Sequence, residues 1–218
     1  HAGMIYASNL CHEIAQNVGF TNLAEEIINE DGTITTKTNT GDMVTCNLNS
    51  ISLGRITDEE LEENIALQIR MLDNVISINQ TPVPESRMTS DKYRAIGLGT
   101  SGYHHYLVNH DIQWESDEHI EVADKLFENI AYYSIKASME LAKEKGAYPA
   151  FKGSEWETGE YFTRRGYTSD RWKQLASDVA KFGIRNGYLM AVAPTGSTSN
   201  IANTTAGIDP IFKKFFIE

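Results

Sequence analysis

Leu61, Ile65, Ile69, Leu72 and Ile76 recur at steps of three and four, the spacing of one face of an α-helix. Just ahead of them, Thr57-Asp58-Glu59-Glu60 has the form of a capping box. A helix is therefore predicted to about Ile78, with Pro82 and Pro84 ending it firmly. A longer helical pattern opens at Ser116 and runs to Lys145, where Gly146 stands as a C-terminal stop, and a third begins at Ser169 and ends near Gly183. Between these helices lie apolar runs without helical spacing. Residues 43–53 read as a largely buried strand that carries Cys46 and is closed by Gly54. Residues 93–98 read as a strand leading into a helix over 99–109, and residues 188–193 as a compact buried strand. Residues 147–167 mix glycine, aromatic and charged positions with no period, so a loop over the surface is expected there.

Near the start, the apolar run 4–7 gives way to the polar turn SNLCHE, which places Cys11 on a loop; the stretch after it ends in the turn Asn29-Glu30-Asp31-Gly32. Helices alternating with short apolar runs predict an α/β layout with largely parallel strands. With 218 residues, 41% of them hydrophobic and 22% charged, the chain can fill one sizeable core. No apolar run is long enough for a membrane span and no secretion signal is visible, so a soluble cytoplasmic protein is expected. The chain opens on His and closes on FKKFFIE without a helix stop or a polar tail, as a piece of something longer would. A net charge of -11 argues against nucleic acid as a partner but leaves an isolated nucleotide open. Cys11 and Cys46 are too few for a disulfide framework and are not spaced as zinc ligands, and no metal site is expected.

The strongest local signal is the segment in which run 188–193 ends at Pro194-Thr195-Gly196-Ser197-Thr198-Ser199, with a helix starting at Asn200-Ile201-Ala202. Such a turn gathers hydroxyls and free backbone N–H groups at the positive end of a helix dipole, which suits a phosphate without needing lysine. An ordinary Ser/Thr N-cap has the same composition. Gly97-Leu98-Gly99-Thr100-Ser101-Gly102 matches the dinucleotide-binding G-x-G-x-x-G pattern. It lies in mid-chain, however, and the acidic residues about twenty positions on (Asp117, Glu118) are explained as a helix start, so close packing is the simpler reason for the glycines. His104, His105 and His110 lack the bracketing of a metal motif, and Cys11-His12 lacks an orienting partner for a thiol nucleophile. The acidic runs 58–63 and 155–160 read as a helix start and a solvated loop, and Tyr132-Tyr133 as helix packing.

Ser8-Asn9-Leu10-Cys11-His12-Glu13-Ile14 resembles the active-site loop in the large, catalytic subunit of class I ribonucleotide reductases. The later run CNLNSISLG from Cys46 is similar to that family's second redox-cysteine strand, and APTGSTSNIANTTAGIDPIF to its substrate-diphosphate loop. IGLGTSG and LAKEKGAYPAF are also similar to family segments, so the resemblance covers essentially all of residues 1–218. It implies a partial catalytic domain, the later portion of a ten-stranded α/β barrel whose finger loop carries the radical cysteine.

The resemblance also implies roles. Cys11 becomes a thiyl radical that takes the 3′ hydrogen of a bound ribonucleotide, Glu13 takes the 3′ hydroxyl proton, and Asn9 anchors the sugar. Alternating residues on an extended loop point the same way, which would bring these three to one ribose. Cys46 matches one of two cysteines that supply electrons. Its partner lies upstream in the family, and no cysteine precedes Cys11. Ser8 and Pro194, Thr195, Gly196, Ser197, Thr198 and Ser199 would contact the substrate, a nucleoside diphosphate. No cofactor is held directly: the radical comes from a metal-containing small subunit, and a thioredoxin- or glutaredoxin-type reductant reopens the disulfide. The remaining partners implied are the N-terminal portion of the large subunit and, in the full enzyme, a second copy. The competing readings are a non-catalytic module active only once assembled with that portion, which would bind a nucleoside diphosphate weakly alone, and a dinucleotide oxidoreductase, which would bind NAD.

Overall fold

A computed structural model of the chain describes residues 4–213, so the last five residues of the closing FKKFFIE lie outside the described residues. The element order is β1 (Asn22–Ile28), β2 (Ile34–Asn39), β3 (Leu48–Ser52), α1 (Leu61–Ile78), α2 (Pro84–Tyr93), β4 (Gly97–Ser101), α3 (Tyr103–Asn109), α4 (Asp117–Lys145), α5 (Glu155–Thr158), α6 (Glu160–Arg164), α7 (Asp170–Phe182) and α8 (Gly196–Ile201).

The long helices stand where their periodicity puts them. The Glu60 carboxylate accepts the Thr57 N–H at 2.9 Å, and Leu61, Ile65, Ile69, Leu72 and Ile76 all turn into the core. That face packs on α4, whose Leu126, Ile130, Ile135 and Met139 are buried opposite. The Ser116 hydroxyl accepts the His119 N–H at 3.1 Å at the start of α4, and Gly146, with φ +84°, ends it. Helix α7 begins after Ser169 and stops at Gly183, as its pattern predicts.

β3 and β4 pair in parallel with Leu48 opposite Gly97 and Ser52 opposite Ser101. On the other side of β4 the chain returns along residues 188–193: Ile96 and Leu98 donate to the carbonyls of Tyr188 and Leu189 at 3.0 and 2.8 Å, and Ala191 donates to Leu98 at 3.1 Å. β4 is thus the middle of three parallel extended segments joined by helical crossovers, the layout of part of an α/β barrel. Its glycines make this possible. A Cβ at Gly97 would lie 2.5 Å from Leu48 Cδ2, and one at Gly99 would lie 2.8 Å from Ala193 Cβ and 2.9 Å from Ser50 Oγ. The G-x-G-x-x-G run therefore serves strand-to-strand packing. Gly99→Ala should destabilise the protein by about 1–3 kcal/mol, the usual range for overpacking; a urea midpoint equal to that of the parent protein would refute this.

Several sequence expectations need correction. The strand expected over 43–53 is shorter, because β4 begins only at Gly97, whose N–H reaches back no further than the Asn47 carbonyl at 2.9 Å. The residues ahead of Asn47 bind helix α2 instead, Met43 N–H donating to Thr89 Oγ1 at 2.8 Å and Thr45 Oγ1 meeting Ser90 Oγ at 2.9 Å, so Cys46 lies ahead of the strand and exposed. Pro84 opens helix α2 rather than only ending α1, as a proline at the first helical position can, and the strand expected over 93–98 shifts to 97–101. Helix α3 accordingly starts at Tyr103, not Gly99. Residues 147–167 do not simply run over the surface: they carry α5 and α6, and bury Tyr148, Trp156 and Phe162 in the core. Run 188–193 makes one isolated bridge, with Met190 and Val192 exposed, so it is only half buried. Helix α8 starts at Gly196, earlier than the expected Asn200. Residues 22–39 form an exposed antiparallel hairpin around the expected Asn29–Gly32 turn.

Candidate active site

The loop bearing Cys11 is a finger whose two limbs meet where Val18 N–H donates to the Met4 carbonyl at 3.0 Å and Tyr6 packs against Phe20. Its tip closes on itself. Asn9 Oδ1 accepts the Ile14 N–H at 3.0 Å, Ser8 Oγ donates to the Ile14 carbonyl at 2.6 Å, and His12 takes a left-handed conformation (φ +62°) with its N–H on the Asn9 carbonyl. Ile14 and Gln16 are buried on the returning limb, and the tip presents Cys11 exposed. Residues 9, 11 and 13 therefore come together through a tight turn, not through the alternation of an extended strand. Ser8 is used in closing that turn, so its hydroxyl is not free to donate to a ligand.

Cys46 stands beside this tip. Partial desolvation of its sulfur and the neighbouring Glu13 carboxylate push its thiol up to about 11, with Cys11 adding to the rise and Asn9 opposing it. Burial would raise Glu13 as well. The Asn9 side chain, the backbone, the Cys46 thiol and the charge of His12 outweigh it and hold the carboxyl below its usual value. At neutral pH the patch thus pairs a charged carboxylate with a protonated thiol, and Glu13 Oε2 is buried without a hydrogen-bond partner. Asn9, Cys11, Glu13 and Cys46 form one cluster.

The hydroxyl-rich turn is built differently from the expectation. Thr195 is buried and its Oγ1 accepts the Gly207 N–H at 2.6 Å; Thr198 and Ser199 donate to the carbonyls of Thr195 and Gly196 at 3.3 and 2.9 Å. Three of the four hydroxyls are engaged internally. Ser197 is exposed, and the first-turn N–H groups of α8 have no partner within their own helix. Pro194 and Gly196 are exposed beside them. This turn follows run 188–193 at the leaving end of β4, whereas Cys46 precedes the entering end of β3.

Groups that carried no sequence motif hold these parts. Arg55 donates to the carbonyls of Ala202 and Asn203 at the end of α8, and His105 Nδ1 bonds Thr204 Oγ1 at 2.9 Å. His104 stacks on Trp114, and His110 bonds the Tyr106 carbonyl, so the three histidines have separate structural partners. A cleft of about 700 Å³ lies by Asn17, Tyr93, Tyr148, Trp156 and Tyr188 and reaches Ile5 and Ala15 of the finger, but none of the predicted site residues lines it. Of the rings around it, Tyr161 stacks on Trp156 with centroids 3.7 Å apart, and Arg165 Cζ lies 3.7 Å from the Tyr161 centroid.

Residues 1–218 match the family model described as ribonucleotide reductase, barrel domain. The chain is 54% identical over 224 residues to the ribonucleoside-diphosphate reductase subunit alpha of Treponema pallidum, covering 100% of this chain and 26% of that protein. It is 37% identical over 268 residues to the subunit of that name from Helicobacter pylori, covering 100% of this chain and 34% of the relative. With the one from Chlamydia pneumoniae the identity is 35% over 241 residues, covering 100% and 21%. The chain thus spans between about a fifth and a third of the length of these relatives.

Proposed function

Because the chain belongs to the ribonucleotide reductase barrel-domain family, we propose that it forms the part of a ribonucleoside-diphosphate reductase that holds the reacting ribose and converts it to deoxyribose. The observation that carries this reading is the cluster of Asn9, Cys11, Glu13 and Cys46, in which Glu13 is held charged and Cys46 is held as a thiol.

Each state suits its step. A thiyl radical on Cys11 takes the 3′ hydrogen of the sugar, forming an S–H bond and leaving the radical on C3′; after C2′ is reduced, that S–H bond breaks again, its hydrogen returns to C3′ and the radical returns to the Cys11 sulfur. The Glu13 carboxylate receives the 3′ hydroxyl proton, for which it must begin ionised and within hydrogen-bond reach. Asn9 Oδ1 is engaged with Ile14 and its Nδ2 supports the Glu13 carboxylate, which leaves the second N–H of that amide as the donor for the sugar. The 2′ hydroxyl leaves as water, which needs two electrons and two protons. Two thiols closing to a disulfide supply both, and a Cys46 that stays protonated at neutral pH brings its proton with its electron. The sum is ribonucleoside diphosphate plus two thiols giving deoxyribonucleoside diphosphate, a disulfide and water. Cys11 and Cys46 are the only cysteines of this sequence, so the second reducing thiol belongs to another part of the longer protein. The activity is therefore that of the assembled enzyme.

The diphosphate would sit at Pro194–Ser199, with the N–H groups of Gly196, Ser197 and Thr198 and the Ser197 hydroxyl as donors. Donors of this kind need no local cation, which fits a net charge of -11. A metal-containing small subunit would supply the radical and a thioredoxin- or glutaredoxin-type protein would reopen the disulfide. The relatives carry the designation subunit alpha, in keeping with a second kind of subunit. Among the described residues no helix is long and apolar enough to cross a membrane.

Cys46→Ser in the full-length enzyme tests the assignment. Deoxynucleotide formation should fall at least about 1,000-fold, as loss of a reacting group does, while tritium is still released from 3′-labelled substrate. Deoxynucleotide formation at the parent rate would remove Cys46 from the reaction.

A further inference from the structure

One buried carboxamide joins the three segments that this chemistry needs in register. Asn17, on the returning limb of the finger, is only 6% exposed. Its Oδ1 accepts the Tyr188 hydroxyl at 2.7 Å, and its Nδ2 donates to the Tyr93 hydroxyl at 2.8 Å. Tyr93 in turn donates to Asp42 Oδ2 at 3.4 Å, an oxygen that also accepts the Gly19 N–H at 2.9 Å, while Lys92 donates to Asp42 Oδ1 at 3.0 Å. The chain of bonds runs in one direction, from Tyr188 through Asn17 and Tyr93 to a carboxylate. Tyr188 opens the run that leads to Pro194–Ser199. Asp42 lies four residues before Cys46, and α2, which ends at Tyr93, also binds residues 43 and 45.

We propose that Asn17 is a positioning residue that holds the finger tip with Cys11 and Glu13 at a fixed separation from Cys46, so that reduction at C2′ follows hydrogen abstraction at C3′ without delay. The inference rests on the function proposed above. Asparagine suits the place because it offers one donor and one acceptor on a short arm. Alanine leaves two tyrosine hydroxyls buried without these partners, and a hydrophobic residue does the same. Among the described residues the side chains of Asn17, Tyr93 and Tyr188 make no hydrogen bond to the finger tip, so their removal changes the spacing of reacting groups and not their chemistry.

The test uses the full-length large subunit with its radical-generating partner and 3′-tritiated ribonucleoside diphosphate, comparing Asn17→Ala, Tyr188→Phe and Tyr93→Phe. The readout is tritium released per deoxynucleotide formed, with KM and kcat. In Asn17→Ala, KM should stay within about twofold while kcat falls about 100-fold, the loss that an ångström of misplacement brings. Tritium released per product should rise severalfold, because abstraction continues while reduction lags. The two phenylalanine variants should shift the ratio in the same direction. Their effects should not add when combined, since both hydroxyls act through one carboxamide. Tyr188→Phe removes a single oxygen and keeps the ring, so it decides the matter if Asn17→Ala does not fold. A ratio equal to that of the parent enzyme in the variants, whatever happens to kcat, would overturn the proposal, as would a rise in KM at constant kcat. Failure of the underlying function would look different: the unsubstituted enzyme would itself release no 3′ tritium.

Discussion

Cys11→Ser in the full-length enzyme is expected to abolish both deoxynucleotide formation and release of 3′ tritium, a loss of at least about four orders of magnitude, while nucleotide binding is kept. The reason is the bond that must form. An oxygen-centred radical at this position is much harder to generate than a sulfur-centred one, so a serine receives no radical under conditions that oxidise a thiol. Binding survives because Cys11 takes no part in shaping its loop: Ser8, Asn9, His12 and Ile14 close the tip among themselves, and the Cys11 side chain is exposed. The contrast with Cys46→Ser is informative, since that variant should keep tritium release and lose only the product. Isothermal titration with a ribonucleoside diphosphate, alongside the tritium assay, checks both halves. Turnover by the serine protein would remove Cys11 as the radical carrier.

The largest stability effect is expected at Asp73. This carboxylate is fully buried on α1 and meets Arg94 Nε at 2.7 Å, Arg185 Nε at 3.1 Å and Lys145 Nζ at 3.3 Å. Arg94, in the left-handed conformation that ends α2, also reaches the Asp73 carbonyl and Ser77 Oγ, and Asn186 bonds the Arg94 carbonyl. One anion thus fastens α1, the lead into β4, the end of α4 and the lead into run 188–193. Asp73→Ala leaves buried guanidinium groups without a counter-ion and should cost about 3–5 kcal/mol, lowering the melting temperature by roughly 10 °C. Burial would raise the Asp73 pKa, but Arg94, Arg185 and Lys145 outweigh it and hold it below the ordinary value. A folded-state pKa below the unfolded one gives stability that is complete above the ordinary aspartate range near about 4, and that is lost as pH falls towards the folded value. Asp73→Asn should therefore flatten the acid side of the stability profile. Urea midpoints between neutral pH and pH 3 that track those of the parent protein would sink the argument.

How much was legible in the sequence depended on distance along the chain. Helices α1, α4 and α7 could be placed with their stops because caps and periodicity act within a few residues of one another, and the finger loop could be read because Asn9, Cys11 and Glu13 share one short segment. The pattern of motifs was enough to indicate the family. Where Cys46 would sit was not legible, because the length of β3 is set by β4, about fifty residues later, and by helix α2, whose first residue is a proline that also reads as a helix stop. Nor could the hydroxyls of Thr195, Thr198 and Ser199 be known to be engaged, since one of their partners is the backbone of Gly207.

By itself, then, the sequence determined the helices, the loop that carries Cys11 and the family to which the chain belongs. Only the tertiary structure decided that Glu13 is charged against a protonated Cys46, that β4 is glycine-rich for the sake of its two neighbours, and that Asn17 ties the finger to run 188–193 through Tyr188 and to the end of α2 through Tyr93. Each of these depends on groups brought together from distant parts of the chain, where packing and burial, not local propensity, set the energy.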